Sequence, residues 1–237
     1  MPLHTIEFII GTITIVLTYF ISVTLVGAGE AAVADWAGDD TPREAGFLSF
    51  DPLYYLDVIG FICTALIGFG WGKNIPFNPN NVDEPHRTWK VFLVYASQPF
   101  FSLLLALIAL VINVFLVGQR SLNFAFWSLF SKNIPLQQLA ATYPEQSSIT
   151  IVFVVLLLSF IALNTFIATW SMINNTFHYI LFIGAEHGHD YMKHAEALSF
   201  FGPLIVLLLF TGPLRFILLR IMISIAALIG SCCGVVV

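Results

Sequence analysis

The sequence predicts an all-α polytopic membrane protein with five or six transmembrane segments. Three observations carry this. The chain of 237 residues is 58% hydrophobic and 10% charged, whereas soluble domains carry about 25% charged residues. Its mean hydropathy is +0.90, which leaves too few charges to solvate a folded surface in water. The apolar residues are gathered into long runs, and about 20 such residues cross roughly 30 Å of hydrocarbon as a helix. No internal repeat or low-complexity tail divides the chain, so residues 1–237 read as a single integral membrane domain.

Ile6 to Val26 is the first candidate span, with Glu7 at its edge. The N-terminus has no basic n-region and this run is too long for a signal h-region, so it is expected to stay as a membrane helix. The small residues Gly27, Ala28, Gly29, Ala31 and Ala32 follow, interrupted by Glu30. Small side chains let helix backbones approach closely, so this face is expected to pack on another helix. Val58 to Trp71 is apolar but short, a length at which a re-entrant segment competes with a spanning one. Phe92 to Val117 is a clear span with Gln98 and Pro99 inside it, and a mid-span proline predicts a kink. Ile149 to Ile183 would reach roughly 50 Å at ~1.5 Å per residue. It is expected either to tilt and project or to break near Asn174 and Asn175. Ser199 to Phe210 opens a further apolar region, punctuated by Thr211, Gly212 and Pro213, and Leu214 to Val237 closes the chain.

The loops carry the remaining signals. The aromatic run Phe124, Phe126, Trp127 and Phe130 suits a segment lying along the lipid headgroups, with a partner surface as the alternative. Basic residues are balanced across a six-span arrangement and do not orient the chain. The net charge of −5 forms no basic tract, which argues against a nucleic-acid partner. Cys63, Cys232 and Cys233 give neither a metal spacing nor a disulfide framework.

The segment from Gly38 to Asn81 carries charges, glycines and prolines in a specific order. Gly38, Asp39, Thr41 and Pro42 come first, then Gly46 to Phe50, then Asp51 and Pro52. Tyr55, Asp57 and Gly60 follow, then Phe69, Gly70, Trp71, Gly72, Lys73, Pro76, Asn78 and Pro79. In order and spacing this resembles the site-2 protease family of intramembrane zinc metalloproteases. That family has Gly-Asp, Thr-Pro, a strand-forming stretch, Asn-Pro, His-x-Asp-Pro-x-Gly and a Phe-Gly-Trp run ending in Asn-Pro. Here Asp51 stands for the asparagine, Tyr55 for the histidine and Val58 for the proline. The clear part covers about a fifth of the chain. The resemblance implies a site-2-protease-like membrane fold with a small re-entrant β element around Phe47 to Phe50.

The metal ligands of that family are missing. Counting back from Gly38 and Asp39, its HExxH falls on Val26, Gly27, Ala28, Gly29 and Glu30. Valine and glycine have no donor atom, and Gly27 stands where the catalytic base belongs. The late aspartate ligand of Leu-Asp-Gly falls on Ile183, before Gly184. A catalytic zinc takes about three protein ligands and lowers the pKa of its bound water to near 7. Glu30 alone does not replace that site, so no cofactor is expected.

Two other constellations stand out. His187, His189, Asp190 and His194 have a spacing that suits a metal; a polar loop between two spans is the plain alternative. Glu30 is an ionisable residue inside an apolar region, a functional candidate by position, with His178, Asn174 or Asn175 as expected partners. Asn174 and His178 are four apart and share a helix face. Asp57 and Trp71 are expected to fix the re-entrant loop.

The role these features imply is a catalytically inactive site-2-protease-like protein, a scaffold, assembly or regulatory subunit of a larger membrane complex. Its expected partners are other membrane proteins and lipid, in a bacterial inner membrane or an organellar one. Its expected structural or partner-binding residues are Glu30, Asp39, Asp57, Gly60, Trp71, Lys73, Asn78, Asn174 and His178. Two alternatives stand beside it: an active intramembrane metalloprotease with relocated ligands, and a small proton-coupled transporter using Glu30.

Overall fold

The computed structural model describes residues 3–68, 70–121, 123–124, 136–186 and 216–234. Three long helices make the frame: α1 (Leu3–Ala37), α5 (Arg87–Val117) and α7 (Ser148–Glu186). Between α1 and α5 lie α2 (Thr41–Glu44), α3 (Pro52–Tyr55) and α4 (Val58–Ile67). A short helix α6 (Leu136–Thr142) precedes α7, and α8 (Phe216–Cys232) follows it. Each pair of long helices is in contact, and the α5–α7 interface is the most extensive.

Among the described residues three segments are long and apolar enough to cross a membrane: Ile9–Ala37, Arg87–Val117 and Ser148–Glu186. Helix α8 is apolar but shorter. The described residues bear on some of the five or six spans expected from the sequence. The Val58 to Trp71 segment is not a straight crossing, because α4 ends at Gly68 in the left-handed region (φ 89°) and the chain turns back. Of the two outcomes left open for Ile149 to Ile183, a break near Asn174 does not occur; α7 runs through to Glu186. Ser199 to Phe210 and the aromatics Phe126, Trp127 and Phe130 lie outside the described residues.

The core has three parts. One joins α5, α7 and α8 around Leu110, Leu158, Ile161 and Leu219. A second joins α1, the α2–α4 region and α7 around Tyr19, Val23, Tyr55 and Ile167. The third joins the end of α1 to the start of α5 through Ala34, Ala37, Val91 and Val94. The small-residue face of α1 packs closely on α5. A Cβ added at Gly29 would lie 2.7 Å from the Phe101 ring of α5.

The turn-back after α4 is built on glycine contacts. A Cβ on Gly60 would lie 2.0 Å from the Trp71 carbonyl oxygen, and one on Gly70 2.0 Å from the Gly60 carbonyl oxygen. The returning chain therefore lies directly against the helix it has just left. The β element expected at Phe47 to Phe50 is instead a run of turns and bends, and no strand occurs among the described residues. The physical reason is local. The Tyr55 hydroxyl is bonded to the carbonyl oxygens of Phe47 and Ser49, acceptors that a strand ladder would otherwise use.

Candidate functional site

Two hydrogen-bond hubs fix the frame of the site, and each ties together motifs far apart in sequence. The first is Asp39, fully buried at the end of α1. Its Oδ1 accepts from the Thr41 hydroxyl at 2.5 Å, the Thr41 N–H at 3.2 Å and the Asn81 side-chain amide at 3.0 Å. Its Oδ2 accepts from the Asn78 N–H at 2.8 Å. The Gly-Asp, Thr-Pro and Asn-Pro motifs thus meet on one carboxylate. Asn78 shapes the turn that presents its N–H, accepting from the Asn80 N–H at 3.1 Å. Beside this hub, Arg43 makes a two-pronged pair with Asp35, at 2.8 Å and 2.6 Å, which pushes the Arg43 pKa up.

The second hub is the Tyr19 hydroxyl of α1. It lies 3.1 Å from the Asp57 carbonyl oxygen and 3.0 Å from that of Trp71, and it accepts from the Asp57 N–H at 3.3 Å. One phenol therefore holds both the entry and the exit of the α4 hairpin. The Asp57 carboxylate caps α4, accepting from the Gly60 N–H at 2.6 Å, which satisfies a donor that the first helical turn leaves without a partner. The Trp71 ring stacks on Trp170 of α7 at 5.7 Å and 22°. Lys73 lies over the Phe47 ring at 5.5 Å, and its N–H bonds the Tyr55 carbonyl at 2.9 Å.

Within this frame the three long helices and the returning chain line an open-sided polar cavity of about 180 Å³. Glu30 comes from α1, Tyr95 and Gln98 from α5, and Asn174, Asn175 and His178 from α7. Asn74, Ile75 and Phe77 of the returning chain complete the wall. Asn74 is exposed at the mouth, and Glu30 is half-buried. The three residues expected to accompany Glu30 are thus brought to one site, although none bonds it. Glu30 has no hydrogen-bond or ion-pair partner among the described residues. Asn175 donates to the Tyr95 carbonyl at 2.9 Å and to Gln98 Oε1 at 3.2 Å. His178 stacks on the Tyr95 ring at 6.2 Å and 13°.

The backbone just before Glu30 is filled by rings. A Cβ added at Gly27 would lie 2.3 Å from the Tyr55 ring. Tyr55 is 1% exposed and its hydroxyl is anchored, so the ring has nowhere to move; burial also pushes its phenol pKa up. Val26 is buried at 2% exposure. Among the described residues no three His, Cys, Asp or Glu side chains are grouped closely enough to hold a metal ion. His187, His189, Asp190 and His194 lie outside the described residues, as does Phe69.

Sequence reasoning missed Tyr19, Tyr95 and Gln98 as members of the site. Gln98 had a signal, since an amide beside a proline inside an apolar span is unusual. Tyr19 had none beyond one hydroxyl in an apolar run.

Among known proteins, the chain is 35% identical over 94 residues to "Putative zinc metalloprotease YwhC" of Bacillus subtilis (strain 168). The match covers 40% of this chain and 42% of that relative, so the chain spans about two fifths of the curated protein it matches. The likeness supports the site-2-protease-like resemblance carried by the motifs. No family model matches the chain, and no solved structure does.

Proposed function

We propose that this protein is a catalytically inactive site-2-protease-like membrane protein, acting as a scaffold, assembly or regulatory subunit of a larger complex in a bacterial inner or an organellar membrane. One observation carries the reading. At the register of the metal-binding helix, Val26 and Gly27 offer no donor, and the Tyr55 ring fills the space that a glutamate at 27 would need. Among the described residues only Glu30 and His178 bring metal-type donors to the neighbouring cavity, where a catalytic zinc uses about three. The described residues therefore do not fit the metal.

The polar cavity and a separate apolar outer face are what such a protein retains for holding a membrane partner. The outward face of α4 supports this, with Val58, Ile59 and Leu66 at 63%, 65% and 68% exposure. Lipid or a partner helix is the solvent such a face suits.

The test is purification of the tagged chain from its native membrane in mild detergent. The expected result is a complex of fixed stoichiometry with another membrane protein, zinc far below one per chain, and no cleavage of transmembrane peptides. One zinc per chain together with cleavage of a membrane substrate would overturn the proposal.

A further inference from the structure

We infer that the cavity beside Glu30 is a binding site for a guanidinium-type organic cation. The chemistry of the lining stands on its own; only the source of the cation, a partner's side chain, rests on the function proposed above.

Charge comes first. Among the described residues Glu30 is the one carboxylate lining the cavity, and no Lys or Arg lines it. Its carboxylate has no hydrogen-bond or ion-pair partner among the described residues. Even a half-buried carboxylate gains from an opposite charge or hydrogen-bond donors. Asn175 donates to Tyr95 and Gln98, Asn174 donates to Asn175 at 3.4 Å, and none of the lining amides bonds Glu30. What the site lacks is a donor-rich cation.

Size and wall chemistry then select the kind of cation. About 180 Å³ is room for roughly six waters at ~30 Å³ each. A bare metal ion would leave most of that space unfilled and would find two metal-type side chains. A planar cation with an alkyl stem fills it. The Tyr95 and Phe77 rings meet edge to face at 5.4 Å and 88°, giving an aromatic wall of the sort that attracts cations. Gln98 and Asn174 add amide oxygens. A guanidinium presents several N–H donors in a plane and pairs with a carboxylate through two parallel bonds. The exposed Asn74 at the mouth leaves a way in for a stem.

The cation can arrive free or as an arginine on a partner's membrane segment. The test is calorimetric titration of the purified full chain in detergent. The probes are n-butylguanidinium chloride, its neutral isostere n-butylurea, zinc chloride, and an apolar helical peptide carrying one arginine. The expected result is saturable guanidinium binding that weakens about tenfold or more for n-butylurea and in Glu30→Gln, as loss of a charge-assisted pair requires. Binding of the peptide alone, with the same loss in Glu30→Gln, assigns the source to a partner segment. Equal binding of n-butylurea, an unchanged Glu30→Gln, binding of zinc alone, or no binding of either guanidinium probe overturns the inference. If Glu30→Gln does not fold, the comparison of n-butylguanidinium with n-butylurea on the unaltered chain decides. A fixed-stoichiometry complex that is indifferent to Glu30→Gln would keep the scaffold proposal and reject this site. Cation binding without any complex would do the reverse.

Discussion

Asn175 on α7 donates to the Tyr95 carbonyl of α5 at 2.9 Å, and that carbonyl is the one Pro99 deprives of its helical partner. Proline has no N–H, so the bond from residue 99 back to residue 95 is absent. In an apolar environment a freed carbonyl must find another donor, and the neighbouring helix supplies it. The same contact places Gln98 and Tyr95 against the cavity. Interhelical side-chain bonds in membranes average only about 0.6 kcal/mol, but a buried acceptor left without a donor costs ~1–3 kcal/mol. The second figure applies here. Asn175→Ala is therefore expected to lower stability by about 1–3 kcal/mol, measured by denaturant unfolding in detergent. In a Pro99→Ala background, where residue 99 regains its N–H, the same substitution should cost about 1 kcal/mol less. Equal costs in the two backgrounds would show that the proline and the asparagine are not linked.

Asp39 makes its case through numbers of partners. Its buried carboxylate accepts from Thr41 twice, from Asn78 and from Asn81. Hydrogen bonds to charged groups contribute ~1.5–3 kcal/mol each, and they are not additive in a shared network. Asp39→Ala is expected to destabilise the chain by at least ~3 kcal/mol. Limited proteolysis should open the Asn78–Asn81 turn first, because the Asn78 N–H and the Asn81 amide lose their acceptor together. Unchanged protection of that turn would contradict the hub.

How much of this was legible follows from where each residue's partner lies. The long apolar runs declare α1, α5 and α7 because a helix satisfies its own backbone. The motif order from Gly38 to Asn81 announced a built element, and Asp39 and Asn78 do meet, 39 residues apart. Asn174 and His178 were readable as one helical face and reach the same cavity as Glu30. The β element was not, because a strand's fate depends on who takes its carbonyls, and here Tyr55 takes two of them. Tyr19 was invisible for a related reason: its partners Asp57 and Trp71 are 38 and 52 residues away, and nothing local in an apolar run points to them. The unbroken α7 was one of two outcomes the sequence left open, since nothing local shows that the Asn175 amide spends its donor on the next helix rather than on its own backbone.

Gly27 and Tyr55 set two effects of opposite sign against each other. Alanine is favoured over glycine inside a helix by about 1 kcal/mol. Against that, the added Cβ would lie 2.3 Å from a ring that is 1% exposed and anchored through its hydroxyl. Overpacking of this kind costs ~1–3 kcal/mol, so Gly27→Ala is expected to lose stability by thermal unfolding. In a Tyr55→Ala background the ring is gone and Gly27→Ala should become stabilising by about 1 kcal/mol. The reversal of sign is the observation to look for.

The Tyr19 hydroxyl yields the last prediction. It bridges Asp57 and Trp71, the two ends of the α4 hairpin, while Gly60 and Gly70 let the two arms touch. Tyr19→Phe keeps the ring, its packing against Phe20 and Phe61 and the core around it. It removes only the bridge, and the buried carbonyls left behind cost ~1–3 kcal/mol. That cost falls on one local opening rather than on the whole fold, because the glycine contacts and the Trp71–Trp170 stack remain. The reporter is Cys63, a free, partly buried thiol on α4. With the exposed Cys232 and Cys233 changed to serine, maleimide labelling of Cys63 should accelerate about tenfold in Tyr19→Phe, as an opening equilibrium shifted by that energy requires. Global unfolding should move much less. An unchanged labelling rate would mean that the glycine contacts alone hold the hairpin closed.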